Sequence, residues 1–229
     1  MKKIILSTVI LLLLANFVSA QKQGTIVYEH TINLHKSLSP KQQALKAMIP
    51  ETTTQKIQFT FNEESGCLKN LPTDSPKGMT IKVDGSDKRT WFSFQQKVYR
   101  KYIDIDDELY HSENAIDVDD AKPTGNSKKI LNYVCDEYKS ADDSYCFWVS
   151  KELPKHLTPM VPLFLDGAIL AIENEKMNFL AISFSKEIDT KHLIPLESDE
   201  ITQEQYEDLQ EEKMSEMKAK GGKVMKIGN

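Results

Sequence analysis

The stretch Gln55-Lys-Ile-Gln-Phe-Thr-Phe61 alternates polar and apolar side chains, as a β-strand with one buried face does. The preceding run, Thr25-Ile-Val-Tyr-Glu-His-Thr-Ile32, is rich in β-branched residues, which favour strands. In the last run of this kind, Leu180, Ile182 and Phe184 are expected to share one face. All the later runs follow at the spacing of hairpins and cover residues 79–83 (before a turn signal at Asp84-Gly85), 90–94, 98–103, 129–138, 145–150, 168–173 and 178–184. The pattern predicts a mainly β protein, either a single curved antiparallel sheet or an open barrel of about nine or ten strands.

Two helices are predicted outside this pattern. Ser39 and Gln42 form a capping-box signature around Pro40, which predicts a short helix near 40–48. Thr202 and Gln205 repeat the signature and predict a peripheral C-terminal helix near 203–219. The expected organisation is therefore a β-rich domain over residues 21–200, followed by a C-terminal helix and a flexible tail over residues 201–229.

Residues 1–20 have the three parts of a secretory signal peptide: a basic start, an apolar run and small residues at Val18-Ser-Ala20. The apolar run is too short to anchor the chain in a bilayer. We therefore expect export to the periplasm or the extracellular space, with a mature chain that begins at Gln21. Because position 21 is not Cys, the chain is not expected to be a lipoprotein.

Charge and hydropathy narrow the possible partners. The formal net charge of the 229 residues is −5, and it becomes −7 when Lys2 and Lys3 leave with the signal peptide. An acidic chain without a basic patch binds the negatively charged nucleic-acid backbone poorly, so no nucleic-acid partner is predicted. The most apolar later stretch, 159–172, is interrupted by Pro162 and Asp166 and is too short to cross a membrane. No transmembrane segment is therefore expected in the mature chain.

The sequence contains three cysteines, Cys67, Cys135 and Cys146. Pairing of strands about a centre between Ser140 and Ala141 would place Cys135 opposite Cys146, within reach of a disulfide. A disulfide to Cys67 or three free thiols are the alternatives, and the sequence leaves them open.

One region resembles a known family. Tyr133-Val-Cys135 is followed by Trp148-Val-Ser-Lys-Glu-Leu-Pro154 and then by Phe164-Leu-Asp-Gly-Ala-Ile-Leu170. This order resembles the GLPGLI family of secreted Bacteroidetes proteins, although Asn132 replaces a usual Gly. The resemblance implies an envelope or secreted protein and transfers no catalytic residue. The matching or structural positions are Tyr133, Cys135, Trp148, Glu152, Pro154, Phe164, Gly167, Ile169 and Leu170.

The matching region also has a physical interpretation. Gly167 permits a sharp turn or a close approach of two backbones before the chain re-enters the sheet. The apolar run over residues 160–172 either closes a solid core or lines a ligand cavity, and the sequence does not separate these two roles.

No motif for catalysis or cofactor binding is found, and the five histidines are scattered. His30 is expected to be an outward polar position on a strand. The leading hypothesis is a non-enzymatic binding protein of the cell envelope, with an apolar small molecule or another envelope protein as its partner.

Two alternatives remain open. A metal-binding protein could hold calcium at the acidic stretches 104–108 and 117–120, or copper through methionines, which are Met160, Met214, Met217 and Met225. The other alternative is a hydrolase whose catalytic residues come from distant parts of the sequence.

Overall fold

The computed structural model describes residues 21–72, 89–105 and 107–219, with the backbone alone at 214 and 217–219. The predicted signal peptide, the strand at 79–83, the Asp84-Gly85 turn and the tail lie outside this part of the chain. The described residues form one sheet with the strand order β12-β6-β5-β4-β3-β2-β1-β11-β10-β9-β8-β7. The strands are β1 Gly24–Asn33, β2 Thr52–Phe61, β3 Ser65–Asn70, β4 Thr90–Ser93, β5 Val98–Ile105, β6 Glu108–Ala115, β7 Lys122–Ile130, β8 Tyr133–Lys139, β9 Cys146–Ser150, β10 Ala168–Glu173, β11 Met177–Ser185 and β12 Asp199–Glu200.

The prediction of a mainly β protein is confirmed, but the strand count of nine or ten is too low. Over the described residues the sheet has twelve strands and is mixed, because β12 pairs with β6 in parallel while the other pairs are antiparallel. The run 129–138, predicted as one strand, is divided between β7 and β8. Leu131 and Asn132 have φ values of 51° and 71° and form a two-residue turn that pairs Ile130 with Tyr133. Positive φ at both central positions is the geometry of a tight hairpin turn.

Four helices lie outside the sheet in the described residues, and one of them is a short 3₁₀ helix over Thr190–Leu193. The other three are α1 Leu34–Ser37, a 3₁₀ helix over Pro40–Ala47, and α2 Gln203–Ala219. At the start of α2, the Thr202 backbone N–H donates to Gln205 Oε1 at 2.9 Å, and the Gln205 N–H donates to Thr202 Oγ1 at 3.1 Å. This reciprocal capping box confirms the predicted start of the C-terminal helix. Among the described residues, no helix is long and apolar enough to span a bilayer.

One face of the sheet, here called the inner face, carries Ile26, Tyr28, Phe59, Phe92 and Tyr99, all buried. The Tyr28 hydroxyl donates to the carbonyl of Ile169 at 2.9 Å, which ties β1 to β10 across the core. Burial raises the pKa of Tyr28, so the hydroxyl keeps its proton and remains a donor.

The link between β9 and β10, residues 151–167, crosses the inner face. The Phe164 ring lies 5.5 Å from the Tyr99 ring and 6.3 Å from the Phe92 ring, measured between centroids. Apart from the exposed Asp166, residues 164–172 are buried. This part of the apolar run therefore closes the core.

The prediction that Leu180, Ile182 and Phe184 of β11 share one face is wrong. Phe179 and Ala181 face inward, opposite His30 and Tyr28 of β1, whereas Leu180 and Ile182 are 37% and 38% exposed. An irregularity in the β1–β11 register, between Val27 and Tyr28, then places Phe184 opposite the inward-facing Ile26. An extra residue in one strand reverses the alternation beyond it, which the apolar pattern alone does not reveal.

The opposite, outer face of β3–β6 is covered by the C-terminal connection, residues 186–202. Trp91 Nε1 donates to the Leu193 carbonyl at 2.8 Å, and the Tyr102 hydroxyl accepts from the Leu196 N–H at 3.1 Å. The connection then adds β12 to the edge of β6, and α2 follows on the inner side of β5 and β6. The Ser112 hydroxyl, fully buried on that side, donates to Gln203 Oε1 at 3.0 Å.

The other edge of the sheet is β7. All its residues except Ile130 are exposed, and they include Pro123, Lys122 and Lys129.

The predicted disulfide between Cys135 and Cys146 is wrong, because the β8–β9 register places Cys146 opposite Lys139. Cys135 is four residues further along β8, and about 3.3 Å per residue gives about 13 Å, too far for a disulfide. The turn is longer than predicted, because the Asp142 carboxylate accepts from the hydroxyls of Ser140 and Ser144 at 2.7 Å each. All three cysteines are free.

Candidate ligand pocket

A pocket of about 400 Å³ opens on the inner face, beside the solid core. Three separate parts of the chain enclose it: the strands β1–β5 and β11, the link at 159–161, and α2 through Tyr206 and Gln210. Its volume falls in the range of about 300–1,000 Å³ that is common for small-molecule sites. Residues 159–161 of the link line this pocket, while 164–172 close the core.

The floor of the pocket changes from apolar to polar across the sheet. Leu68 of β3 lies opposite Thr90 of β4, which in turn lies opposite Lys101 of β5. At the next position on the same face of the sheet, Ile57 of β2 lies opposite Asn70 of β3. These five side chains line the pocket and place a hydroxyl, an amide and an ammonium group beside two aliphatic groups.

The apolar wall is formed by Phe179 and Met177 of β11 together with Pro159 and Met160 of the link. The Phe179 ring stacks on the imidazole of His30, with centroids 3.9 Å apart and an interplanar angle of 8°. This wall offers the body of a ligand a surface with few polar groups.

His30 is a buried polar group of the pocket. The prediction that it faces outward is wrong, because it shares the inner face with Ile26 and Tyr28 and is only 5% exposed. Its Nδ1 lies 3.2 Å from Gln55 Nε2, and its buried Nε2 has no hydrogen-bond partner in the described part of the chain. Burial lowers the pKa of His30 to about 4, so the imidazole is neutral at neutral pH.

Three basic residues and no acidic residue lie among the described lining. Lys69 Nζ is 2.8 Å from His192 Nε2, and Arg89 Nη2 donates to the Ile194 carbonyl at 2.7 Å. The side chains of these two residues therefore lie on the outer face with the C-terminal connection, and they do not extend into the pocket on the inner face. Lys101 belongs to the inner face, and its Nζ lies 5.7 Å from the centroid of the Tyr99 ring.

The helix α2 is held at the pocket by a few polar contacts. Tyr206 is 6% exposed and its hydroxyl donates to the Tyr102 carbonyl at 3.4 Å. About two turns later, Lys213 Nζ donates to the Asp104 carbonyl at 2.9 Å. These few contacts agree with the predicted peripheral position of the helix.

The residues that carry the family resemblance do not lie at the pocket. Glu152 accepts a hydrogen bond from the Val134 N–H at 2.8 Å, and Tyr133 packs edge-on against Phe184 at 5.7 Å between centroids. Trp148 lies beneath the Lys128 ammonium, 3.8 Å from the ring centroid. Of the remaining residues, Pro154 is half-buried, and the fully buried ones are Cys135, Phe164, Ile169 and Leu170.

Gly167 makes a close approach to β9. A Cβ atom at this position would lie 2.6 Å from Val149 Cγ1 and 2.8 Å from the Ser150 carbonyl oxygen. The motif residues thus organise β8–β10 and the core rather than a binding site.

The metal-binding alternative receives no support from the described residues, in which no group of three or more His, Cys, Asp and Glu side chains could hold an ion. Asp104, Asp107 and Glu108 are exposed, and the Asp119 carboxylate accepts from the Ala121 N–H at 2.9 Å. The side chains of Met214, Met217 and Met225 lie outside the described part of the chain, so the copper hypothesis stays a prediction.

None of the three cysteines, all of which the structure describes, is an activated nucleophile for the hydrolase alternative. Burial raises the pKa of Cys67 and of Cys135 to about 11, and burial together with Glu137 raises that of Cys146 to about 12. At neutral pH these groups are thiols, which are weak nucleophiles. His30 Nε2 has no hydroxyl or thiol partner within the described residues.

Comparison with known proteins finds solved structures with a similar fold. No family model matches the sequence, and no curated protein matches it. A solved structure of PNGF-II in the C2 space group aligns with a TM-score of 0.59 at 15% identity, over 82% of this chain and 32% of that chain. A second PNGF-II structure, in the P21 space group, gives 0.57 and 17% over 82% and 33%. The chain spans about a third of the length of these structures, and at such identities the likeness shows the fold alone.

Proposed function

We propose that this chain is an exported, non-enzymatic binding protein of the cell envelope that holds a small molecule between the inner face and α2. The observation that carries the proposal is the pocket itself, in which an apolar wall faces a floor with hydroxyl, amide and ammonium groups. Binding sites for small molecules combine these features, whereas surfaces for protein partners are usually flatter and larger. Of the two predicted partner classes, the pocket therefore favours the small molecule.

The signal-like residues 1–20 and the resemblance to the GLPGLI family support export and an envelope location. The test is the mass of the protein recovered from the producing cell. A chain that begins at Gln21 without a lipid is expected, whereas an intact Met1 or an acylated chain would contradict the proposed export route.

Ligand binding is tested with the mature chain, residues 21–229, in a thermal-shift screen of small molecules. For each compound that raises the melting temperature, the screen is repeated with Thr90→Phe. Thr90 is half-buried in a strand that lines the pocket, so the added ring fills the space without opposing the strand conformation.

The matched control is Thr54→Phe, which places the same ring on an exposed position of β2. Stabilisation that disappears in Thr90→Phe and persists in Thr54→Phe is expected. Compounds that stabilise both variants equally would show that the pocket is not the binding site, and a screen without any stabilising compound would speak against the binding role.

A further inference from the structure

We propose that mild acid opens the C-terminal connection, residues 186–202, away from the outer face of β3–β6, through protonation of His192 and His111. The two histidines lie at the two ends of this contact. His192 belongs to the connection and meets β3, whereas His111 belongs to β6 and meets the connection at Ser198. This response belongs to the outer face, so it holds whether or not the pocket on the inner face binds a ligand.

At the first end, Lys69 Nζ of β3 lies 2.8 Å from His192 Nε2. A lysine ammonium can only donate a hydrogen bond, so Nε2 has to accept and the imidazole has to be neutral. Protonation makes Nε2 a donor and brings two positive groups together. The protonated ring can donate instead to Asp189 Oδ2, which lies 3.6 Å from the same nitrogen. Because Asp189 belongs to the connection itself, that bond does not hold the connection to the sheet.

At the second end, His111 is 4% exposed and its Nδ1 lies 2.9 Å from the Ser198 hydroxyl oxygen. Its Nε2 is buried and has no hydrogen-bond partner in the described part of the chain. A protonated imidazole has two N–H donors, so the donor at Nε2 would be buried without an acceptor. When the connection leaves the sheet, water reaches the ring and solvates the charge.

The charges around His192 oppose its protonation. The groups that act on it are Lys69, Arg89, Lys191 and Asp189, and β2 adds Lys56 on the same face of the sheet. Burial and then Lys69 lower the pKa of His192, against the opposite effect of Asp189.

The surroundings of His111 have the same net effect. The groups that act on it are Arg100 of β5, Glu113 of β6 and Glu200 of β12, and Glu113 is itself paired with Arg100 at 2.8 Å. Burial and then Arg100 lower the pKa of His111, although Glu200 and Glu113 act against them. The closed connection therefore binds fewer protons than the open one, and acid favours the open form.

The other bonds of the connection do not titrate near neutral pH. They include those from Trp91 Nε1 to the Leu193 carbonyl and from Arg89 Nη2 to the Ile194 carbonyl. These bonds keep the connection closed at neutral pH, so protonation shifts the balance between a closed and an open form.

Hydrogen exchange of the mature chain, followed by NMR at pH 7.5 and 5.5 and corrected for the intrinsic effect of pH on exchange, measures the opening. The informative N–H groups are those of Leu196 and Ile201, which donate to the Tyr102 hydroxyl and the His111 carbonyl at 3.1 and 2.9 Å. A free histidine with a pKa of about 6.5 allows up to about a tenfold change for each ring over this interval. The protection of both amides is expected to fall about tenfold or more, and to stay below that of the β1 amides at both pH values.

Two substitutions replace the rings by amides that cannot be protonated. His192→Gln places an oxygen where Nε2 accepts from Lys69, and His111→Asn places an amide where Nδ1 meets Ser198. The combined variant is expected to lose most of the acid response, and each single variant part of it. The matched control is His35→Gln, which removes an imidazole from α1, where Nε2 lies 3.1 Å from the Ile49 carbonyl oxygen, and should keep the full response.

Equal protection of Leu196 and Ile201 at the two pH values would overturn the proposal. An acid response of the combined variant as large as that of the wild type would overturn it too, because other groups would then cause the opening. If the combined variant is unfolded at pH 7.5, full responses of both single variants have the same meaning. Amides of the connection and of β1 that share one protection factor would show unfolding of the whole sheet, which contradicts a local opening.

Discussion

The stability of the fold should depend on pH through His30, because the native state keeps this imidazole neutral. Its pKa is about 4 in the folded protein, against 6.5 for an ordinary histidine, since burial beside Phe179 opposes the charged form. Between these two values the unfolded chain binds a proton that the native state does not bind. The free energy of unfolding therefore falls as the pH is lowered from about 6.5 to about 4. At 1.36 kcal/mol per pH unit, the loss over this window is about 3 kcal/mol.

The perturbation that isolates this effect is His30→Phe, which keeps an aromatic ring on Phe179 and cannot be protonated. Urea unfolding of both proteins, followed by tryptophan fluorescence, gives the free energy of unfolding at several pH values from 7.5 to 4. Burial also lowers the pKa values of His111, His156 and His192, so the wild-type protein loses additional stability in acid. Because these histidines are present in both proteins, the difference between the two pH profiles reports on His30.

The wild-type profile is expected to fall more steeply, by about 3 kcal/mol over the whole window. Parallel profiles would refute the reasoning, since they would mean that His30 binds its proton equally well in the folded and unfolded states. A steeper fall in His30→Phe would refute it more strongly.

Three further outcomes are expected from the packing. Gly167→Ala should lower the free energy of unfolding by about 1–3 kcal/mol in urea titrations, because the new methyl group would overlap Val149; unchanged stability would contradict the close approach. Tyr28→Phe should cost about 1–3 kcal/mol in the same assay by leaving the buried Ile169 carbonyl without its donor, and a loss below 0.5 kcal/mol, roughly the effect of a neutral surface change, would contradict this. A thiol reagent should label at most the half-buried Cys146 in the native protein and all three cysteines after unfolding, whereas fewer than three in unreduced, unfolded protein would indicate a disulfide.

The strands that the sequence predicted are those with a clear period or rich in β-branched residues, such as β1 and β2. β3 and β6 were missed for physical reasons. β3 contains Gly66 and no β-branched residue, and β6 is contacted on both faces, by α2 at Ser112 and by the C-terminal connection at His111. A strand with two covered faces does not alternate between polar and apolar residues.

Turn geometry explains two further errors in the structure predicted from the sequence, which concern the β7–β8 hairpin and the pairing of the cysteines. The Leu131-Asn132 turn carries no glycine, so the β7–β8 hairpin was predicted as one strand. The hydrogen bonds of Asp142 lengthen the next turn and shift the register of the cysteines by four residues. Because register depends on the length of a turn, the spacing of cysteines alone does not identify a cross-strand pair.

The pocket could not be predicted from the sequence, because its lining residues are far apart in the chain and form no local motif. Examples are His30, Lys101, Met160 and Tyr206. One signal was present. His30 has the same parity as Ile26 and Tyr28 in a strand, and this alternation predicts an inward imidazole.

An open sheet presents two rims on which a second molecule could continue the hydrogen-bonded ladder. At one rim, β12 offers a template of only two residues. At the other, Pro123 has no N–H to donate, and Lys122 and Lys129 would repel the same lysines of an approaching copy. Pairing of strands from rim to rim between copies is therefore opposed at both ends of the sheet that the described residues form.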